Sequence, residues 1–251
     1  MASDGASGGL YQQISIFIMG TIKSAIQAVG ERIRQAATAA GRAPDSILLL
    51  AVSKTFAADK VREAYTTTGQ RAFGENYVQE GVDKIALLAD LPLEWHFIGP
   101  LQSNKTRPVA EHFHWVHTVD RLKIAERLSA QRPEHLPPLQ LCIQVNVSGE
   151  TSKSGCGFAD VPALAAAIAT LPRLQLRGLM CIPEPTEDQS KLLAQFGALR
   201  DCLQQLNQQG YRLDTLSMGM SADLEQAIAA GSTMVRVGTA IFGARPAIQG
   251  H

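Results

Sequence analysis

The sequence predicts an α/β fold of the (β/α)8 TIM-barrel type, in which eight parallel strands form a closed cylinder inside a ring of helices. Three observations lead to this prediction. Apolar runs of strand length alternate with helical segments, about eight such runs follow Gly41, and each run is apolar at nearly every position. Strands of that kind are buried on both faces, which is typical of a parallel sheet covered by helices.

The elements follow one another in the order that a barrel requires. An extra amphipathic helix, "TIKSAIQAVGERIRQAATAAG", comes first and ends at Gly41, with Pro44 as a stop signal beyond it. The predicted strands are residues 47–53, 71–76, 94–99, 115–120, 139–147, 176–182, 215–220 and 234–243. The predicted helices between them fall within residues 58–67, 78–88, 101–112, 121–131, 160–171, 189–208 and 222–231.

Local composition supports individual boundaries. The first strand begins with six apolar residues in succession, Ile47 to Val52, and is followed by a serine and a lysine. The fifth strand, "LQLCIQVNV", lies between the proline-rich "RPEHLPP" and the loop "SGETSKSGCGF". The seventh strand ends in "SMGM", and the acidic residues of "ADLE" then favour the start of a helix.

A doubly wound open sheet has the same alternation and is the alternative fold. Its dinucleotide-binding form needs a GxGxxG sequence after the first strand, and this chain has none there. No linker rich in proline, glycine and serine divides the chain after Gly41, so we expect residues 19–251 to form one domain. Residues 1–18 are Gly/Ser-rich and then briefly apolar, and we expect a loosely attached leader, added for expression or from an upstream start.

Composition excludes some classes of function. Lysine plus arginine and aspartate plus glutamate number 23 each, and no basic patch predicts binding to nucleic acid or to an acidic membrane. The four cysteines form no CxxC pair, and the histidines of "EHFHWVH" lack further ligands at metal-binding spacing. We therefore expect a cytoplasmic protein without a metal site. The cysteines are Cys142, Cys156, Cys181 and Cys202.

The functional residues of a barrel lie at the carboxyl ends of its strands. The ends of the seventh and eighth strands, "SMGMSADLE" and "RVGTAIFG", combine glycines with hydroxyl side chains, and Ser221 is the expected helix N-cap. Barrels often bind phosphate between these two loops, through unpaired amide groups at a helix start. The alternative is two ordinary turns. The predicted phosphate-site residues are Ser217, Gly219, Ser221, Gly238 and Thr239.

Two basic residues lie at the same end of the barrel. Arg236 interrupts an apolar strand, and its side chain either pairs with Glu75, turns outward between helices, or donates to a ligand. Lys54 follows the first strand, where partial desolvation favours its neutral amine. An amine that faces a phosphate site suits pyridoxal 5'-phosphate (PLP), an aldehyde with a phosphate group, held as a Schiff base.

Other lysines are weaker candidates for this role. Lys60 and Lys84 fall on predicted helices and are expected to face solvent. Lys105 and Lys153 lie in loops or at helix starts, where contact with a ligand is open. His96 and Asn146 are expected to line the same end of the barrel as Lys54.

Six motifs together resemble the YggS/PROSC (PLPBP) family of pyridoxal phosphate homeostasis proteins, from about Ile22 to Arg245. They are "LLAVSKT", "FGENYVQE", "WHFIGPLQSNK", "NVSGETSKSG", "GLMCIP" and "LSMGMSADLEQAIAAGSTMVRVGTAIFG". The resemblance implies a barrel like the N-terminal domain of alanine racemase, with PLP bound through Lys54 and Arg236 by the pyridine nitrogen. It also implies that Asn76 lies near the cofactor. The phosphate contacts that it implies are Ser217, Gly219, Ser221, Gly238 and Thr239.

The predicted function is to bind, buffer and hand over PLP inside the cell, without robust catalysis. Arg236 beside the ring nitrogen is a permanent cation, which weakens the ring as an electron sink. Racemases of this fold type add a β-rich second domain, which we do not find after "AIFGAR", and Tyr77 is expected to point away from the site. We expect a monomer that serves PLP-requiring apo-enzymes. A PLP-dependent amino-acid racemase and a cofactor-free enzyme of the aldolase type remain the alternatives.

Overall fold

The computed structural model describes residues 21–149 and 154–244. Within them, eight strands pair in parallel in the order β1 to β8 and close into a barrel, which confirms the predicted fold class. The strands are β1 Leu48–Val52, β2 Ala72–Glu75, β3 Glu94–Phe97, β4 Trp115–Val119, β5 Leu139–Gln144, β6 Leu174–Met180, β7 Thr215–Ser217 and β8 Met234–Val237. The predicted leader, residues 1–18, and Lys153 lie outside the described residues.

Helices alternate with these strands along the chain. They are α1 Ile22–Ala39, α2 Ala58–Thr68, α3 Val78–Leu87, α4 Thr106–His112, α5 Leu122–Gln131, α6 Val161–Ala169, α7 Gln189–Gln208, α8 Leu224–Ala229 and α9 Thr239–Phe242. None of the helices in the described ranges has the length and the apolar character that crossing a bilayer requires.

The end of the eighth strand differs from the prediction. β8 stops at Val237, and residues 239–242 form the single turn of α9 instead of continuing the strand to residue 243. Gly238 leaves the extended conformation with ψ −75°, and its carbonyl oxygen accepts the amides of Ile241 and Phe242. Short apolar runs do not distinguish a strand from a helical turn, which explains the error.

The extra helix α1 takes the position that a long helix after β8 would occupy. It packs against α2, α8 and the short α9, so it covers the outside of the junction between the first and last strands. Its N-cap Thr21 accepts the amide of Ser24, and its buried face is apolar at helical spacing, as in Ile26, Val29 and Ile33. An eight-stranded barrel is thereby enclosed although α9 has only one turn.

Most of the core lies between the strands and the surrounding helices. Two smaller clusters contain strand and strand-end residues but no helix residue, so they lie inside the barrel. One consists of Leu50, Val52, Ala72, Ile98 and Met234, and the other of Trp115, Cys142 and Met180. The strands are thus buried on both faces, as their composition predicts.

The cysteines are free and mostly inside the protein. Cys142, Cys181 and Cys202 are buried, and Cys156 is partly buried. Burial raises the pKa of both Cys142 and Cys181 to about 12, and that of Cys156 to about 11. They act as small apolar side chains.

The ends of β2 and β3 approach each other closely at Gly99. A Cβ atom on Gly99 would lie 2.0 Å from the carbonyl oxygen of Asn76. The absence of a side chain therefore lets the backbone that carries Asn76 lie directly against the end of β3.

We expect Gly99→Ala to destabilise the protein by roughly 1–3 kcal/mol, because the backbone at Asn76 has to move. Gly30→Ala is the matched control, since nothing lies within 4 Å of the added Cβ in the exposed face of α1. This control should be more stable than the wild-type protein by about 0.5–1 kcal/mol. Urea denaturation of both variants measures the difference, and equal stabilities contradict the close approach at Gly99.

Candidate functional site

A cavity of about 300 Å³ opens at the carboxyl end of the barrel. β1 and β8 are neighbours in the closed sheet, so the residues that follow these two strands meet at its wall. Six of the eight site residues predicted from the sequence line this cavity. Its lining residues are Val52, Lys54, Asn76, Ile98, Ile182, Met220, Ser221, Ala222, Arg236, Gly238 and Thr239.

Ser217 and Gly219 are the two predicted site residues that do not line the cavity. Ser217 is fully buried, and its Oγ lies 2.8 Å from Nη1 of Arg236 and 2.8 Å from Nδ1 of His117. Gly219 has φ +98°, and a Cβ there would lie 2.6 Å from Cβ of Ala227. Gly219 therefore shapes the turn after β7 and lets α8 approach it.

The cavity wall presents amide groups without partners. Within residues 21–149 and 154–244, the backbone N–H groups of Ser221, Ala222, Gly238 and Thr239 make no hydrogen bond. Thr239 adds an exposed side-chain hydroxyl to this wall. Unpaired N–H groups that converge on one cavity attract an anion, because they carry uncompensated partial positive charge.

The helix after β7 begins later than the sequence suggests. Ser221 was the expected N-cap, but α8 starts at Leu224 and its N-cap is Asp223. The Asp223 carboxylate accepts the amide of Met220 at 2.5 Å, so the chain completes one further turn before the helix. This arrangement leaves the amides of Ser221 and Ala222 directed to the cavity rather than into a helix cap.

The turn that carries Lys54 is strained and held by two contacts. Thr55 has φ +68°, a conformation that a β-branched residue rarely adopts. Its amide donates to Oε1 of Glu80 at 2.5 Å, and Nζ of Lys84 donates to the carbonyl oxygen of Ser53 at 2.9 Å. Two side chains of α3 thus fix the backbone on both sides of Lys54.

Lys84 is buried, which corrects the expectation of a solvent-facing lysine. Its Nζ lies 2.7 Å from Oε1 of Glu75 and 2.9 Å from Oε1 of Glu80, one helical turn earlier on α3. Burial raises the pKa of Glu75, and the ammonium of Lys84 opposes this shift. The signal in the sequence was the i, i+4 spacing of Glu80 and Lys84 next to a strand that ends in glutamate. Lys60, in contrast, is exposed as predicted.

Arg236 lies at the floor of the cavity and is almost fully buried. Its Nη1 donates to Ser217 Oγ and its Nη2 to the carbonyl oxygen of Cys181, each at 2.8 Å. The suggested ion pair with Glu75 does not form, since that carboxylate is bound by Lys84 and Ser53. Burial lowers the pKa of Arg236, but a guanidinium remains protonated at neutral pH.

Buried polar atoms also mark the cavity. The side-chain oxygen Oδ1 of Asn76 is buried and has no hydrogen-bond partner among the described residues. An unpaired buried acceptor is costly and indicates a donor that the described residues do not supply. Tyr77, the next residue, has a side chain that is exposed to solvent, as expected.

Two further residues that the sequence analysis named, His96 and Asn146, make contacts outside the cavity. His96 lies inside the barrel, with Nδ1 2.9 Å from His117 Nε2 and Nε2 2.8 Å from Oε1 of Glu94. Asn146 closes a turn, since its Oδ1 accepts the amides of Ser148 and Gly149. Neither residue lines the cavity.

A larger cleft of about 570 Å³ lies beside the cavity, between the loops after β6 and β7. Three acidic residues are among those that line it, Glu184, Glu187 and Asp223. These carboxylates disfavour a phosphate group, so the smaller cavity with Lys54 and Arg236 is the better anion site.

The fold and the cavity agree with a comparison with known families. The chain matches the family described as the N-terminal domain of alanine racemase over residues 25–246. This match defines its class, which is a barrel of the alanine racemase type.

Individual relatives narrow this class. The pyridoxal phosphate homeostasis protein of Pseudomonas aeruginosa is 64% identical over 227 residues, covering 90% of this chain and 97% of the relative. The protein of the same name from Escherichia coli is 57% identical over 233 residues, covering 90% and 98%. The structure of PipY from Synechococcus elongatus with PLP bound is 43% identical, covers 84% of this chain and 100% of that chain, and has a TM-score of 0.74. The chain belongs to the family of pyridoxal phosphate homeostasis proteins.

We expect Lys84→Met to destabilise the protein by roughly 3–5 kcal/mol, because it leaves the carboxylate of Glu75 buried without its cation. Lys60→Met, on the exposed face of α2, is the matched control and should change stability by less than about 0.5 kcal/mol. Adding Glu75→Gln to Lys84→Met should restore part of the lost stability, because the uncompensated carboxylate is then removed. Urea denaturation measures all three, and a Lys84→Met variant as stable as the control contradicts the buried ion pair.

Proposed function

We propose that this chain is a PLP-binding homeostasis protein and that it holds the cofactor in the cavity at the carboxyl end of the barrel. The observation that carries the proposal is that one cavity contains both Lys54 and the unpaired amides of Ser221, Ala222, Gly238 and Thr239. The relatives from Pseudomonas aeruginosa and Escherichia coli described above are named for PLP homeostasis, and PipY has been solved with PLP.

The residues present fit the chemistry of PLP. The four amides and the Thr239 hydroxyl provide donors for its phosphate. Arg236 provides further N–H donors, and its guanidinium has no carboxylate partner in the described part of the chain. Asn76 Oδ1 provides an unpaired acceptor for a donor of the cofactor, and Val52 and Ile98 provide apolar wall against its ring. A cavity of about 300 Å³ is of the size that proteins use for small ligands.

Lys54 is the residue proposed to bind the cofactor covalently. Its amine nitrogen would bond to the aldehyde carbon of PLP, and the carbonyl oxygen would leave as water, which would give a Schiff base. The reverse reaction with water returns the free amine and aldehyde. Reversibility of this bond suits a protein that holds the cofactor and releases it to apo-enzymes.

The residues that line the cavity support a role in holding PLP rather than in catalysing a reaction with it. Among the described residues that line it, only Lys54 and Arg236 have side chains that ionise. A racemase or transaminase needs a further acid or base close to the reacting carbon. With the ring nitrogen of PLP beside Arg236, as the family resemblance implies, the guanidinium would also disfavour a second positive charge there, which would limit carbanion stabilisation. Measurable amino-acid racemisation by the purified protein would contradict this part of the proposal.

We expect Lys54→Ala to abolish the visible absorbance of the Schiff base and the adduct that borohydride reduction traps. Weaker, phosphate-dependent binding of PLP should persist, because the amides that bind phosphate are separate from the lysine. Absorbance spectra before and after reduction, with peptide mapping of the adduct, give the result. Lys105→Ala, at a loop next to the site, is the control and should retain the adduct, and an undiminished adduct in Lys54→Ala assigns the aldehyde to another lysine.

We expect Ser221→Asp to weaken PLP binding by about tenfold or more, because a carboxylate would face the phosphate. Ser46→Asp places the same charge on an exposed serine before β1, at the opposite end of the barrel, and should leave affinity unchanged. Equilibrium dialysis against PLP compares the two. Equal affinities would show that the loop after β7 does not contact the phosphate.

A further inference from the structure

A continuous series of hydrogen bonds crosses the interior of the barrel. Glu94 Oε1 lies 2.8 Å from His96 Nε2, and His96 Nδ1 lies 2.9 Å from His117 Nε2. His117 Nδ1 lies 2.8 Å from Ser217 Oγ, which accepts from Nη1 of Arg236 at 2.8 Å. We call these five residues the Glu94–Arg236 chain.

The Glu94–Arg236 chain connects opposite ends of the barrel. Glu94 is the first residue of β3, and 45% of its side chain is exposed. His96, His117 and Ser217 are fully buried, and Arg236 lies at the cavity floor. These hydrogen bonds therefore link the amino end of the barrel to the cavity, and the link passes through His96 and His117.

Packing fixes the orientation of the first histidine. The ring of His96 stacks on the ring of Trp115, with centroids 5.2 Å apart and an interplanar angle of 11°. Arg177 lies over the same Trp115 ring, 4.9 Å from its centroid. The ring of His96 is therefore held in a plane in which its two nitrogens reach Glu94 and His117.

The donors along the chain must all point the same way. A carboxylate only accepts, so the proton of a neutral His96 is on Nε2 and its Nδ1 accepts. His117 then carries its proton on Nε2 and accepts on Nδ1 from the hydroxyl of Ser217. The lone pairs of the Ser217 oxygen are left for Arg236. In this order no donor faces another donor, and each of the four hydrogen bonds has one donor and one acceptor.

The protonation states that this order requires agree with the surroundings. Burial lowers the pKa of His96 and places that of His117 well below its ordinary value, so both rings are neutral. Arg236 also disfavours a charge on His117. The hydrogen bond from His96 holds the pKa of Glu94 below its usual range, so this residue is an anion.

We infer that His96 and His117 are positioning residues for Arg236, because they fix the Ser217 hydroxyl as a hydrogen-bond acceptor toward the cavity floor. The positioning role itself stands on the hydrogen bonds. Its consequence, that the orientation of Arg236 sets the affinity for PLP, rests on the proposed function. With the opposite order, His117 would donate to Ser217, and the hydroxyl proton of Ser217 would have no acceptor within this chain of hydrogen bonds and would be free to turn toward the guanidinium.

The first experiment needs no cofactor. Nitrogen-15 NMR of histidine-labelled protein without PLP at neutral pH should show both His96 and His117 as neutral rings with the proton on Nε2. Signals are assigned with His96→Asn and His117→Asn, and His112→Asn, an exposed histidine of α4, should leave both signals in place. A proton on Nδ1 of either ring, or a charged ring, overturns the inference whether or not the protein binds PLP.

The second experiment measures PLP affinity in variants of the chain. His117→Leu should weaken binding about tenfold, because Ser217 loses the acceptor that orients it. His117→Asn should recover most of this loss, since its amide oxygen takes the place of Nδ1 as acceptor from Ser217. Glu94→Ala changes a residue remote from the cavity and should lower the affinity for PLP about threefold. Without the Glu94 carboxylate, the proton of His96 is no longer held on Nε2.

The outcomes separate the two proposals. Wild-type protein that does not bind PLP contradicts the proposed function, and the NMR result then decides the inference alone. Wild-type binding with equal affinities in His117→Leu and His112→Asn overturns the positioning role, provided that both variants keep the wild-type far-ultraviolet circular dichroism. A loss in His117→Leu that His117→Asn does not restore assigns His117 a packing role only and also overturns it.

Discussion

The pairing of β1 with β8 closes the barrel, and the candidate site depends on this closure. It places Lys54, which follows the first strand, beside Gly238 and Thr239, which follow the last. In an open sheet the same residues would lie at opposite edges, and no cavity would contain both the amine and the anion-binding amides. α1 covers the outside of this junction, and Nη2 of its Arg32 donates to the carbonyl oxygen of Ser221 at 3.0 Å.

Two of the buried cations in the described part of the chain, Lys84 and Arg236, are compensated in different ways. Lys84 lies between two carboxylates, so its charge is neutralised within the protein and serves to hold the turn at Lys54. Arg236 donates to a hydroxyl and to a carbonyl oxygen, and these two hydrogen bonds do not cancel its charge. A buried charge of this kind is costly unless a negative charge approaches, and under the proposed function the cavity that Arg236 lines holds the negatively charged cofactor.

The sequence was sufficient for the fold and for most of the cavity, because both follow from where strands end. Lys54 is visible as a polar residue that follows an apolar run, and Arg236 as a charged residue that interrupts one. Lys84 was misassigned because a lysine on a helix is normally exposed, and its burial depends on a carboxylate from a neighbouring strand. The role of His117 depends on the relative register of β3, β4 and β7, which no local pattern contains. Ser217 was assigned to phosphate for the same reason, since its buried partners belong to other strands.

The burial of the cysteines has a consequence for the reactivity of a bound aldehyde. Thiolates add to aldehydes, whereas neutral thiols are much weaker nucleophiles. With a pKa of about 12 for Cys142 and Cys181, and of about 11 for Cys156, these side chains stay protonated under physiological conditions. Under the proposed function, these thiols would therefore not compete with the amine of Lys54, and an aldehyde carried in this barrel would be protected from hemithioacetal formation on its own carrier.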